Sequence, residues 1–242
     1  MVINMANTYF QFKQFIIRQD QCSMKVTTDA CLFGAWVSSC LENINSVKTT
    51  LDIGSGTGLL SLMLAQKTKS EITGIELQLV DYEQSVQNIN GSPWNDRVHI
   101  FNADVKTFNF CNKYDAIICN PPFYENDLKG PSAGKNTAHH DNSLTINELL
   151  QIIYRQLNPD GRFYILLPSK REKYLIGLIE SHALFINQIV RVKQTEKHAF
   201  FRIMIEGSYE KSETMEKVIT IKENSQYSAI FTALLKDYYL NL

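Results

Sequence analysis

No run of about 18 consecutive apolar residues occurs in the 242-residue chain, which argues against a membrane-spanning helix. The opening Met1-Val2-Ile3-Asn4-Met5-Ala6 lacks the basic-then-apolar layout of a secretory signal, so a cytoplasmic protein is expected. Cysteine is sparse: Cys22, Cys31, Cys40, Cys111 and Cys119 are odd in number and form no Cys-x-x-Cys pair. That pattern argues against thiolate zinc sites and disulfide frameworks and leaves reduced, mostly buried thiols; no metal is expected. Repeats, low-complexity tracts and Pro/Gly/Ser-rich linkers are missing as well, so one domain over residues 1–242 is expected, with 1–45 as a cap segment and 46–242 as core. An excess of one charge sign is also absent, the formal net charge being −1. Binding to a polyanion would therefore need a local patch. One candidate runs from Arg162 to Arg202, where Arg162, Lys170, Arg171, Lys173, Arg191, Lys193, Lys197 and Arg202 face only Glu172, Glu180 and Glu196. Runs of this kind are more often just solvated faces.

What is present is an alternation of strand and helix signals. After an aromatic-rich leader, Asp29 is placed to cap a helix running through Leu32, Phe33, Trp36 and Val37. Thr49–Ile53, Ser70–Ile75, Arg97–Asn102, Lys113–Cys119 and Arg162–Leu167 read as strands, with helices at Leu59–Lys69, Leu79–Asn90 (closed by Gly91), Ile146–Leu157 and Lys173–His182. Thr145 and Glu148 make a capping-box pattern, and Asn158-Pro159-Asp160-Gly161 reads as a turn. Ile186–Lys193 and Ala199–Glu206 are two further strands with too little chain between them for a parallel crossover, so they must pair antiparallel. The expected fold class is α/β: a seven-stranded, mostly parallel sheet with one antiparallel strand near its edge and helices on both faces.

Two motifs sit at strand ends. The first is Asp52-Ile53-Gly54-Ser55-Gly56-Thr57-Gly58, where glycine allows a tight bend and close approach of a ligand, and the following helix start offers free N–H groups to a carboxylate. Alone it is no more than a strand–helix loop. Glu76 follows the second strand about 20 residues on, where an acid can accept both ribose hydroxyls, and Asp104 follows the third, within reach of an adenine amino group. A dehydrogenase would carry G-x-G-x-x-G; the spacing here is G-x-G-x-G, and nothing else supports hydride chemistry.

The second motif is Asn120-Pro121-Pro122-Phe123, at the end of the apolar run Tyr114–Cys119. As an isolated match it would be a common Asn-Pro turn. An exocyclic amine on a base is a poor nucleophile because its lone pair is delocalised into the ring. The Asn120 side-chain oxygen and the Pro121 carbonyl can each accept a hydrogen bond from that amine, favouring a pyramidal nitrogen and stabilising its developing positive charge. The prolines preset both acceptors, and Phe123 offers a stacking face. With the glycine turn upstream, the pair describes a methyl donor held beside an amino group. The polar, aperiodic stretch Tyr124–Ser143 is long for a loop and is expected to cover the acceptor pocket, with Lys129, Lys135, His139 and His140 meeting phosphates. The histidines lack the spacing of a helical metal pair.

These residues resemble the bacterial adenine-N6 methyltransferases that modify the adenosine 3′ of the anticodon in a valine tRNA. The likeness extends over Phe10–Phe15, Met24–Asp29, Phe33–Trp36, Leu51–Gly58, Gly74–Glu76, Asn120–Phe123 and Ala138–His140. It implies the class I, Rossmann-like fold of enzymes dependent on S-adenosyl-L-methionine. By this resemblance Lys25, Thr27 and Thr28 enclose the donor's methionine end, Asp52, Gly54, Ser55 and Gly56 its amino-acid part, Glu76 the ribose and Asp104 the adenine. Asn120 to Phe123 form the catalytic loop, Asn120 also borders the donor, and Phe123, Lys129, Lys135, His140, Lys170 and Arg171 meet the RNA. The chain departs from the family at Thr28, where glycine is usual, and at His139, where arginine is usual. A monomer acting on the anticodon stem-loop, with no membrane and no obligate protein partner, is expected. The same loop serves guanine-N2 enzymes of ribosomal RNA, DNA adenine enzymes and protein-glutamine enzymes. A module that binds donor or RNA without turnover is the alternative of another class.

Overall fold

The computed structural model describes residues 7–42, 44, 46–121 and 144–242. The chain opens with a small antiparallel hairpin, β1 (Tyr9–Gln11) and β2 (Ile16–Arg18), followed by α1 (Thr28–Leu41). Alternation then begins: β3 (Thr49–Ile53), α2 (Leu59–Lys67), β4 (Glu71–Glu76), α3 (Leu79–Asn90), β5 (Val98–Asn102) and β6 (Tyr114–Cys119). It continues with α4 (Ile146–Gln156), β7 (Leu157–Pro168), α5 (Glu172–Ser181), β8 (Phe185–Thr195), β9 (Phe200–Ser208), β10 (Met215–Glu223), β11 (Gln226–Tyr227) and α6 (Ala229–Leu235).

The main sheet has the order β11-β10-β8-β9-β7-β6-β3-β4-β5. Its parallel pairs run β7-β6-β3-β4-β5, β9 is antiparallel to both β7 and β8, and β10 rejoins β8 in parallel. The α/β class with its reversed strand is therefore as expected, but the sheet is two strands wider. The short β11 is a second reversed strand, antiparallel to β10. Both extra strands lie beyond Glu206, where the sequence pattern marks no element.

Period-two alternation buries both faces, as a covered parallel sheet requires. Ala116, Ile118, Tyr164 and Leu166 pack with α1, α2 and α6, whereas Ile117, Cys119, Phe163 and Ile165 pack with α4 and α5. Chain reversal through helices on both sides brings the C-terminal ends of β3, β4, β5 and β6 to one edge, which is where such sheets bind ligands.

Two local expectations change and one holds. Thr27, not Asp29, caps α1: its backbone is extended and its Oγ1 accepts the Ala30 N–H. Asp29 lies inside the first turn instead and binds the Arg202 Nε at 2.6 Å. The Asn158–Gly161 turn is absorbed into β7 as a bulge, because Tyr114 pairs with Leu157 while Ala116, only two residues on, pairs with Arg162. Asn158 Nδ2 fixes that bulge by donating to Asp115 Oδ1 at 2.7 Å. The Thr145–Glu148 capping box forms as read.

Candidate active site

The glycine turn leaves β3 with Gly54, Gly56 and Gly58 at φ of 71°, 52° and 80°, a region costly for any side chain with a Cβ. Space is open around Gly54 and Gly56: apart from each glycine and its chain neighbours, no heavy atom among the described residues lies within 4 Å of where a Cβ would stand. The Gly54 N–H reaches back to the Ile75 carbonyl at 2.9 Å, locking the turn to β4. Gly58 caps α2 without a side-chain acceptor, so the first N–H groups of that helix have no side-chain cap.

Glu76 ends β4 and is buried. Its Oε2 accepts the Gly56 N–H at 2.9 Å and its Oε1 the Gln78 N–H at 2.8 Å. Each oxygen keeps a lone pair for a further donor. Burial raises its pKa, and the Gln78 and Gly56 N–H groups pull it back down. Asp104 follows β5, half-buried, its Oδ1 accepting the Lys106 N–H at 2.9 Å. Asn120 and Pro121 follow β6.

A cleft of about 360 Å³ joins these groups; Gly54, Gly56, Glu76, Asp104, Asn120 and Pro121 all line it. Asn120 Oδ1 is buried and accepts no hydrogen bond among the described residues. An oxygen left in that state costs about 1–3 kcal/mol, so its position is one that a bound donor group would satisfy.

Asp52 lies behind the turn, fully buried, with Oδ2 accepting the Ser61 hydroxyl at 2.6 Å and Oδ1 without a partner among the described residues. Burial pushes its pKa up to about 6, against the lowering effect of Ser61 and with a smaller push from Glu76. The folded chain therefore holds this proton more tightly than the unfolded one. The resulting stability is full below about pH 4 and lost as pH rises to about 6, a change on the order of 3 kcal/mol. Asp52→Asn, which keeps an acceptor for Ser61, is expected to raise the melting temperature at pH 8, with the gain shrinking as the pH falls towards 4.5. A gain of equal size at both pH values would contradict this assignment. Cys119 forms part of the cleft floor, and burial, then Asp52 and Glu76, push its thiol well above the usual range.

Other expected site residues lie elsewhere. Ser55 is buried, its Oγ without a partner among the described residues, and it is not on the cleft wall. Lys25 is exposed, its Nζ 3.4 Å from the Asn7 carbonyl, while Thr27 and Thr28 begin α1; none of the three lines the cleft. Lys170 and the buried Arg171 form a 3-10 turn just after β7, at the same sheet edge but off the cleft. Three arginines of the basic stretch are held in ion pairs: Arg162 with Glu206, Arg191 with Glu172 and Glu216, and Arg202 with Asp29. Pro122, Phe123, Lys129, Lys135, His139 and His140 fall outside the described residues. Sequence reasoning misses Ser23, Met24, Asp81 and Leu144 on the wall. Asp81 carried a usable signal, standing one turn beyond a strand end, and Met24 opens the Met24–Asp29 stretch of the likeness; Ser23 and Leu144 carried none.

Residues 36–183 match the methyltransferase small domain family. A curated tRNA1(Val) (adenine(37)-N6)-methyltransferase from Christiangramia forsetii is 38% identical over 98% of this chain and 100% of its own. A second of that name, from Dyadobacter fermentans, is 38% identical over 97% of this chain and 98% of its own. The chain belongs to the tRNA1(Val) (adenine(37)-N6)-methyltransferase family. Membership agrees with the resemblance carried by the glycine turn and the Asn-Pro-Pro-Phe loop. The family's fold extends to distant solved structures: a predicted O-methyltransferase from Agrobacterium tumefaciens, 14% identical, superposes with a TM-score of 0.65 over 88% of this chain and 100% of that one.

Proposed function

We propose that this chain transfers a methyl group from S-adenosyl-L-methionine to N6 of the adenosine 3′ of the anticodon in a valine tRNA. The observation that carries the reading is the buried Asn120 Oδ1, without a hydrogen-bond partner among the described residues, on a cleft shared with Glu76 and two left-handed glycines. Those residues fit the donor: open space over Gly54 and Gly56 admits its amino-acid part, and Glu76 has lone pairs left for two ribose hydroxyls. Asp104 offers an acceptor to the adenine amino group. When bound, the donor supplies an electrophilic methyl on a sulfonium.

The chain's own groups do the rest. Asn120 Oδ1 and the Pro121 carbonyl accept the two hydrogens of the acceptor's amine, localising its lone pair and stabilising the charge that develops there. Pro122 holds the loop's backbone and Phe123 stacks on the base. The alkylated amine is acidic enough to give its proton to water, so no strong general base is required. Asp52, with the Ser55 backbone, supports the turn from behind, and Lys25, Thr27 and Thr28 act around the donor's far end. Lys129, Lys135, His140, Lys170 and Arg171 are assigned to the RNA. A monomer working in the cytoplasm on the anticodon stem-loop, as one domain, completes the reading; among the described residues no helix is long and apolar enough to cross a membrane.

Labelled donor incubated separately with tRNA, ribosomal RNA, DNA and release factor tests the assignment, followed by mass spectrometry of the nucleosides. N6-methyladenosine in the valine tRNA alone is the expected result. Label only in a non-tRNA sample overturns it.

A further inference from the structure

Between β2 and α1 the chain from Gln19 to Thr27 adopts neither helix nor strand, yet it is tied down at every second or third residue. Gln19 closes the segment into a loop, its Oε1 accepting the Val26 N–H at 2.8 Å. The outer ties come from one buried polar stripe on α3. Asp81 Oδ1 accepts the Ser23 N–H at 2.6 Å, Gln84 Oε1 the Gln21 N–H at 3.1 Å, and Asn88 Oδ1 the Arg18 N–H at 2.8 Å. Spacings of three and four residues put all three side chains on one helix face. Asn88 also donates to the Thr57 carbonyl at 2.9 Å, so the same stripe holds the glycine turn. Ser23 and Met24, at the loop's tip, stand on the cleft wall with Asp81, Gly56 and Glu76.

We propose that the α3 stripe is a positioning device that sets the Ser23–Met24 wall against the glycine turn, with Asp81 the positioning residue for donor binding. This rests on the reading that the cleft receives S-adenosyl-L-methionine. The argument is geometric. A loop without its own backbone ladder takes its place from whatever accepts its N–H groups. Only Asp81 among the three both holds the loop and faces the cleft. A carboxylate accepting a backbone N–H makes a stronger bond than a neutral acceptor, and loss of one is worth roughly tenfold or more in equilibrium terms.

Calorimetric titration with S-adenosyl-L-homocysteine, which cannot react, tests the proposal on the full chain. Asp81→Ala is expected to weaken binding roughly tenfold and to raise the donor KM with kcat nearly unchanged. Asp81→Asn keeps an acceptor oxygen for Ser23 and is expected to stay within about threefold of the parent. Equal affinity in Asp81→Ala overturns the proposal, and so does an Asp81→Asn variant as weak as the alanine, which would mean that charge against the ligand matters and not placement of the loop. A parent chain that fails to bind the probe sinks the donor reading instead. Independently of any ligand, trypsin is expected to cut beside Lys25 faster in Asp81→Ala than in the parent, and should the alanine variant fold poorly, in Ser23→Pro, which removes the donor N–H from the other side. Unchanged cutting in a folded variant overturns the proposal as well.

Discussion

Asn120→Ala is expected to cut turnover by about 100- to 1,000-fold while the dissociation constant for S-adenosyl-L-homocysteine moves by less than about threefold. The asymmetry follows from where the amide oxygen stands. It is buried without a hydrogen-bond partner among the described residues, so it does little for the ligand-free fold. Its work is done when an amine hydrogen arrives and the nitrogen's lone pair must be freed from the ring. Removing an acceptor used only there lowers kcat and leaves donor binding nearly alone. Since alanine also removes a buried unsatisfied atom, thermal stability should hold or rise slightly. Single-turnover methylation of tRNA with a parallel binding titration decides the matter; a variant with parental turnover would remove Asn120 from the chemistry.

Glu76→Ala should do the reverse, weakening donor binding by about 100-fold or more, because two charge-assisted hydrogen bonds at about 1.5–3 kcal/mol each are lost with the ribose. The side chain also braces the site: Gly56 and Gln78 would lose the acceptors that join the glycine turn to the start of α3. A fall in melting temperature should therefore accompany the loss of affinity. Glu76→Gln offers one acceptor where the carboxylate offers two, and should fall between parent and alanine. Calorimetry with S-adenosyl-L-homocysteine is the measurement, and affinity within about threefold of the parent would place the ribose elsewhere.

The order of elements from α1 through β9 was legible because their signals are local, whereas the β1–β2 hairpin was read only as an aromatic-rich leader. Leu79–Asn90 has its closing glycine, and Thr145 with Glu148 announces α4. Gly54, Gly56, Glu76, Asp104 and Asn120 could be placed because one rule, acids and loops at the C-terminal ends of parallel strands, covers them all. Position on a strand end is a property of sequence neighbours. What side chains reach across the fold is not. Asp29 looked like a cap because its attraction to Arg202, 173 residues away, leaves no local trace. The ion pairs of Arg162 and Arg191 in the candidate basic patch could not be read because Glu206 and Glu216 lie on β9 and β10. The Asn158–Gly161 turn was correctly composed but misjudged in consequence, since Asp115 holds it within a strand as a bulge.

The placement of Cys119 bears on how such an enzyme survives its own reagent. A sulfonium methyl is an alkylating agent, and a thiolate is among the fastest nucleophiles that a protein carries. Cys119 stands on the cleft floor, yet burial and the nearby carboxylates keep its sulfur protonated at physiological pH. Burial first, and Asp52 and Glu76 second, thereby hold back the thiolate that would compete for the methyl in the proposed reaction.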